Sequence, residues 1–90
     1  MAVHWVNYDL NKTGQNYAEL ITYLESFGTW ARPVQSSFLV KTTLTAAQLG
    51  NGIKSHVDAN DVVMVMTVTG ADWATQGVPT EVVTWLRNNL

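Results

Sequence analysis

The sequence predicts an α+β domain with the element order strand, helix, strand, strand, helix, strand and one more helix at the C-terminal end. Three observations carry this. Residues 2–9 form an aromatic and β-branched run that ends in Asp9. Two stretches, 17–28 and 45–57, repeat apolar residues at three- and four-residue spacing. Residues 62–68, Val-Val-Met-Val-Met-Thr-Val, are apolar with a single threonine and no charge.

Taken in order, residues 2–9 read as a strand with Ala2, His4, Val6 and Tyr8 on one side and Val3, Trp5, Asn7 and Asp9 on the other. A polar loop, Asn11 to Asn16, follows. Tyr17, Leu20, Ile21, Leu24 and Phe27 then make one apolar helical face, stopped at Gly28, where a left-handed cap costs least. Between Thr29 and Thr43 the pattern returns to strand. Pro33 cannot donate to a ladder, and Gln35-Ser36-Ser37 has turn chemistry. The expectation is a short edge strand over 30–34, a tight turn, and a longer strand over 37–42. Thr45-Ala46-Ala47-Gln48 has the form of a capping box, and Leu49, Ile53 and Val57 continue a helix that Gly50 and Gly52 each weaken by ~1 kcal/mol relative to alanine. Asp58 to Asp61 is a turn. The run 62–68 is a strand without a polar face, so its second side calls for cover beyond what helices on one side supply. Pro79 is expected as the first residue of a terminal helix with Val82, Val83, Leu86 and Leu90 inward and Arg87 in its last turn.

This order is the ferredoxin-like split βαβ pattern, a βαββαβ sandwich with an added C-terminal helix, in one domain spanning residues 1–90. It leads us to expect the first and third strands as parallel neighbours, with the fourth antiparallel beside the first. Asp9, Lys41 and Asp61 would then gather at one rim.

Composition narrows the function. A 90-residue chain buries only ~60 to 65% of its unfolded surface. Apolar residues make up 47%, but charged residues only 13% against roughly 25% in a typical domain, which favours a homo-oligomer, most economically a homodimer, over a bare monomer. Its interface is expected on the sheet face left open by the helices or in an edge-strand exchange with the C-terminal segment. Without cysteine there is no disulfide framework, thiolate zinc site or cysteine nucleophile. No apolar run approaches the ~18 residues of a membrane span, and no basic segment with an apolar core opens the chain, so the expectation is a soluble, cytoplasmic protein. The net charge is −2 and the five cations, Lys12, Arg32, Lys41, Lys54 and Arg87, are scattered, unlike the footprint of a dedicated nucleic-acid binder.

Several residues invite a chemical role. Asp9 can be a ligand for a hard divalent cation, or a strand-end carboxylate capping the loop amides of residues 11–14. Asp61 can be a second ligand or a turn residue. His4 and Asp9 leave a regular strand on opposite faces and cannot share a metal, which makes His4 a core or interface histidine. His56 stands at a helix end, where an imidazolium suits the dipole. Lys12 and Gly14 precede a helix whose free amides could take phosphate, although the P-loop spacing is missing. Trp5, Trp30, Trp73 and Trp85 lack interleaved cations and read as core and interface residues rather than base-stacking platforms. Ser36 and Ser37 have no histidine and aspartate at triad spacing.

Tyr8-Asp9 closing the first strand, Phe27-Gly28 closing the first helix, Arg32 to Val34 leading into Gln35-Ser36-Ser37-Phe38-Leu39-Val40, Leu44-Thr45-Ala46-Ala47-Gln48-Leu49, and Asp61-Val62-Val63 follow the order and spacing of the CRISPR-associated-two proteins. The string from Tyr8 to Lys12 with Gly14 to Tyr17, and the ending Trp85 to Leu90, resemble the stand-alone branch called SinR-like. The resemblance implies a ferredoxin-like homodimer. In some members it is a divalent-metal-dependent endonuclease, acting on RNA or DNA, whose metal is held by the Asp ending the first strand, here Asp9, with magnesium the cofactor expected for this chain; in others it is a non-catalytic scaffold that holds DNA for a partner. Nucleic-acid contact would then fall to Arg32 and Lys41. The chain departs from the family in its few basic residues and in Pro33.

Overall fold

The computed structural model describes residues 1–10 and 17–90. Its elements are β1 (Ala2–Asp9), α1 (Tyr17–Glu25), β2 (Trp30–Ala31), β3 (Ser37–Thr42), α2 (Ala46–Ile53) continued by a 3-10 turn (Lys54–His56), β4 (Val62–Thr67) and α3 (Thr80–Asn89). The strands form one sheet in the order β2-β3-β1-β4 with every neighbouring pair antiparallel.

The parallel pairing expected for β1 and β3 is therefore corrected. β1 and β3 run opposite ways, Ala2 facing Thr42 and Asn7 facing Ser37. The cause lies in the connections. The α1 crossover returns β2 in the direction of β1, and the tight turn after β2 reverses the chain, so β3 enters between them against both. A second expectation falls with it. Asp9 lies opposite Val62 and so beside Asp61, but Lys41 lies opposite Val3 at the far end of the sheet.

Local chemistry accounts for most element boundaries. Leu20 and Leu24, one helical turn apart, are fully buried, and Gly28 ends the α1 segment with φ +81°, a conformation that costs glycine least. β2 stops at Ala31 instead of running to Val34. Pro33 brings no N–H to a ladder, and the Arg32 guanidinium donates to the Gln35 carbonyl at 2.7 Å, closing the turn. α2 opens on the full capping box: Gln48 N–H donates to Thr45 Oγ1 at 3.1 Å and Thr45 N–H donates to Gln48 Oε1 at 2.9 Å. Pro79 is the cap of α3 rather than its first residue. Its ψ of 145° is extended, and its carbonyl accepts from the N–H groups of Val82 and Val83.

The sheet is covered on both sides. α1 and α2 lie on one face, packing Leu20, Leu24, Leu49 and Ile53 against Val6, Tyr8, Phe38 and Val40. The terminal helix lies on the other face, where Val82 and Leu86 meet Val3, Ala31 and Leu39 with Trp73 and Trp85 alongside. The C-terminal segment thus covers its own sheet, but only its β2, β3 and near-β1 part.

Candidate functional site

The part of that second face left open runs along β1 and β4. Strand alternation places Trp5, Asn7 and Asp9 on it, and register places Met66, Met64 and Val62 directly opposite them. Val62 is 58% exposed, Met64 53%, Met66 45% and Trp5 38%. These four make a contiguous apolar strip at the sheet's edge, where the sequence predicted a strand without a polar side. Cross-strand neighbours Asn7 and Ser37 extend the strip inward, and their side-chain Nδ2 and Oγ atoms are buried without a hydrogen-bond partner among the described residues.

Asp9 stands exposed at the end of β1 on this face, with Asp61 just beyond its neighbour Val62. Asp61 is engaged in the turn: its Oδ2 accepts from Asp58 N–H at 2.8 Å, and its own N–H donates to Asp58 O. Among the described residues no group of three or more His, Cys, Asp or Glu stands together as a metal-holding cluster. Near Asp9 the described residues of one chain thus offer a magnesium ion one uncommitted carboxylate, fewer oxygens than this hard, octahedral ion takes from protein and substrate together. Among the described residues this donor set does not fit the ion, and no chemistry through it is derived from them.

The other candidates are dispersed. Arg32 is engaged by the Gln35 carbonyl and lies over the Phe38 ring at 5.4 Å. Lys41 reaches Asn89 Oδ1 at 3.4 Å, at the end of the sheet opposite Asp9. Lys12 and Gly14 lie outside the described residues. His4 is buried on the α1–α2 face with both ring nitrogens paired: Nε2 donates to the Leu44 carbonyl at 2.7 Å, and Nδ1 lies 3.0 Å from Thr67 Oγ1. Of the two places expected for it, core or interface, His4 takes the core. His56 Nδ1 lies 2.9 Å from Glu19 Oε1, and its ring stacks on Tyr23 at 4.5 Å. Sequence reasoning missed this cluster because Glu19 and His56 belong to different elements and share no spacing signal.

The β4 margin of the strip is also the margin of the sheet. Among the described residues β4 pairs with β1 alone. Val68 N–H donates to the Val3 carbonyl at 2.8 Å, and backbone alternation then turns residues 62, 64 and 66 toward β1 and residues 63, 65 and 67 outward. Beside this free edge, α2 presents small residues, Ala46, Ala47 and Gly50, over Val63 and Val65, leaving an open groove of about 880 Å³. No helix among the described residues is long and apolar enough to cross a membrane. Compared with family models, curated proteins and solved structures, the chain matches none.

Proposed function

We propose that the chain is a homodimeric, non-catalytic scaffold or interaction module of the cytoplasm, built on a ferredoxin-like sheet. The observation that carries this is the apolar strip of Trp5, Val62, Met64 and Met66 on the open part of the sheet. In a small domain with so few charges, such a strip is an interaction surface before it is anything else. The antiparallel order β2-β3-β1-β4 supports the ferredoxin-like reading and, with it, the resemblance to the CRISPR-associated-two proteins. Sedimentation at micromolar concentration tests the assembly. The expected species has twice the 10.0 kDa mass of the chain, and the double substitution Met64→Lys, Met66→Lys shifts it toward monomer. A monomer in the unaltered protein refutes the reading.

A second reading, a magnesium-dependent endonuclease acting at Asp9, draws on one observation: Asp9 is exposed on the same face as the strip, so a second chain packed face to face on that strip would bring its own carboxylate near. Nuclease assays on single-stranded RNA and duplex DNA, with magnesium and with chelator, test it. Metal-dependent cleavage lost in Asp9→Asn would carry the function to this second reading. The position of Lys41, at the end of the sheet opposite Asp9, favours the scaffold.

A further inference from the structure

We propose that two copies of this chain join edge to edge through β4, antiparallel about a two-fold axis at Val65, into one continuous eight-stranded sheet. This deepens the homodimer reading above and rests on it, naming the interface. The juxtaposition that assigns it is a free strand edge whose outward backbone groups are symmetric about one residue.

The outward residues of β4 are Val63, Val65 and Thr67. Each presents an N–H and a C=O that only another strand can pair in series. Three evenly spaced outward residues are self-complementary under a two-fold rotation. Val65 pairs with Val65 of the second copy, and Val63 with Thr67 of the second copy, in both directions.

The side chains on either side specify the occupant further. A strand added here sets one row of its side chains beside Val63, Val65 and the groove under Ala46, Ala47 and Gly50. Its other row lies beside Met64 and Met66. The occupant must therefore be apolar on both rows. β4 itself meets that demand, since residues 62–68 contain no charge, proline or glycine. In the symmetric register Met64 falls opposite Met66 of the second copy, so the exposed strips of both chains become one. No like charges oppose each other along the joint. The devices that natural edges use against such pairing, a lysine, a proline or a bulge, are missing from these seven residues.

The test uses the full chain, which has no native cysteine. A hydrogen-bonded antiparallel pair sets Cα atoms about 5.5 Å apart, within disulfide reach. Val65→Cys should therefore give a disulfide-linked dimer on mild oxidation. Val63→Cys, whose twin would lie four residues away along the joint, should not. In the unaltered protein, amide hydrogen exchange read by NMR should slow at least tenfold at Val63, Val65 and Thr67 as concentration rises through the sedimentation transition. Residues 62, 64 and 66 should be protected throughout. A sedimenting dimer with fast exchange at the three outward amides and no Val65→Cys cross-link overturns this interface and leaves the homodimer reading standing. A monomer at all concentrations overturns both. A monomer that gains protection at these amides only on adding another protein overturns the second copy as occupant.

Discussion

Gly52 offers the most sensitive check on how α1 and α2 fit together. Glycine in a helix costs up to ~1 kcal/mol relative to alanine, so on propensity alone Gly52→Ala should stabilise the domain. The structure reverses the sign. A Cβ at position 52 would fall on the Tyr23 hydroxyl oxygen and come 2.9 Å from its Cζ. A tyrosine tip is often free to swing away, but this ring is held on two sides, stacked on His56 at 4.5 Å and edge-on to Phe27 at 5.3 Å. Overpacking of this kind costs typically ~1 to 3 kcal/mol, which outweighs the propensity gain. The expected net loss is about 1 to 2 kcal/mol, or a fall in Tm of roughly 5 to 15 °C for a domain of this size. The decisive measurement is a double-mutant cycle by urea and thermal unfolding. In a Tyr23→Ala background the obstacle is gone, and Gly52→Ala should now stabilise by up to ~1 kcal/mol, giving a coupling of about 2 to 3 kcal/mol. A neutral or stabilising Gly52→Ala in the unaltered background, or the same effect in both backgrounds, would refute the claim that Tyr23 dictates glycine here.

Thr45→Ala removes the side-chain arm of the capping box that starts α2, leaving the Gln48 N–H without its Oγ1 acceptor, and should cost ~1 kcal/mol in urea unfolding, with Thr45→Asp restoring most of it. His4→Leu leaves the Leu44 carbonyl without its donor in the core and should destabilise by about 1 to 3 kcal/mol, without altering sedimentation of the folded protein. Asp9→Asn alters an exposed strand-end carboxylate. Under the scaffold reading its thermal melt should stay within ~1 kcal/mol of the parent and be indifferent to magnesium or chelator, whereas a magnesium-dependent rise in Tm confined to the parent would restore Asp9 as a ligand.

Where the sequence was legible, the information was local. The limits of β1 and β3, the Thr45–Gln48 box and the Gly28 stop are written in alternation, capping chemistry and backbone freedom, which neighbouring residues decide among themselves. β2 was overread by three residues because Pro33 and the Arg32–Gln35 contact act against a strand that the aromatic Trp30 favours. Relative strand direction was misread because it depends on how two connections combine, and no pair of adjacent residues encodes that. The site divides the same way. That β4 has an unsatisfied side follows from its composition, and that this side is shared with Trp5 requires the register of β1. The other polar candidates were chosen by residue type, and type says nothing of proximity: Lys41 and Asp9 end up at opposite ends of the sheet. The second face was expected to await a partner, and the terminal helix fills its β2 and β3 half instead.

That terminal helix has a consequence for aggregation. Its core with Val3, Ala31 and Leu39 is separate from the larger one that α1 and α2 form beneath the sheet, so the segment from Val68 to Leu90 can detach while the four strands and two helices keep their own cluster. Such a partial opening costs less than global unfolding. It would widen the bare strip from four side chains to a whole apolar sheet face, ending in an unguarded strand edge. The species most prone to uncontrolled polymerisation is then not the unfolded chain but a nearly native one that has lost only its last helix. Truncation before Val68 should make the remaining domain precipitate at concentrations where the intact chain does not.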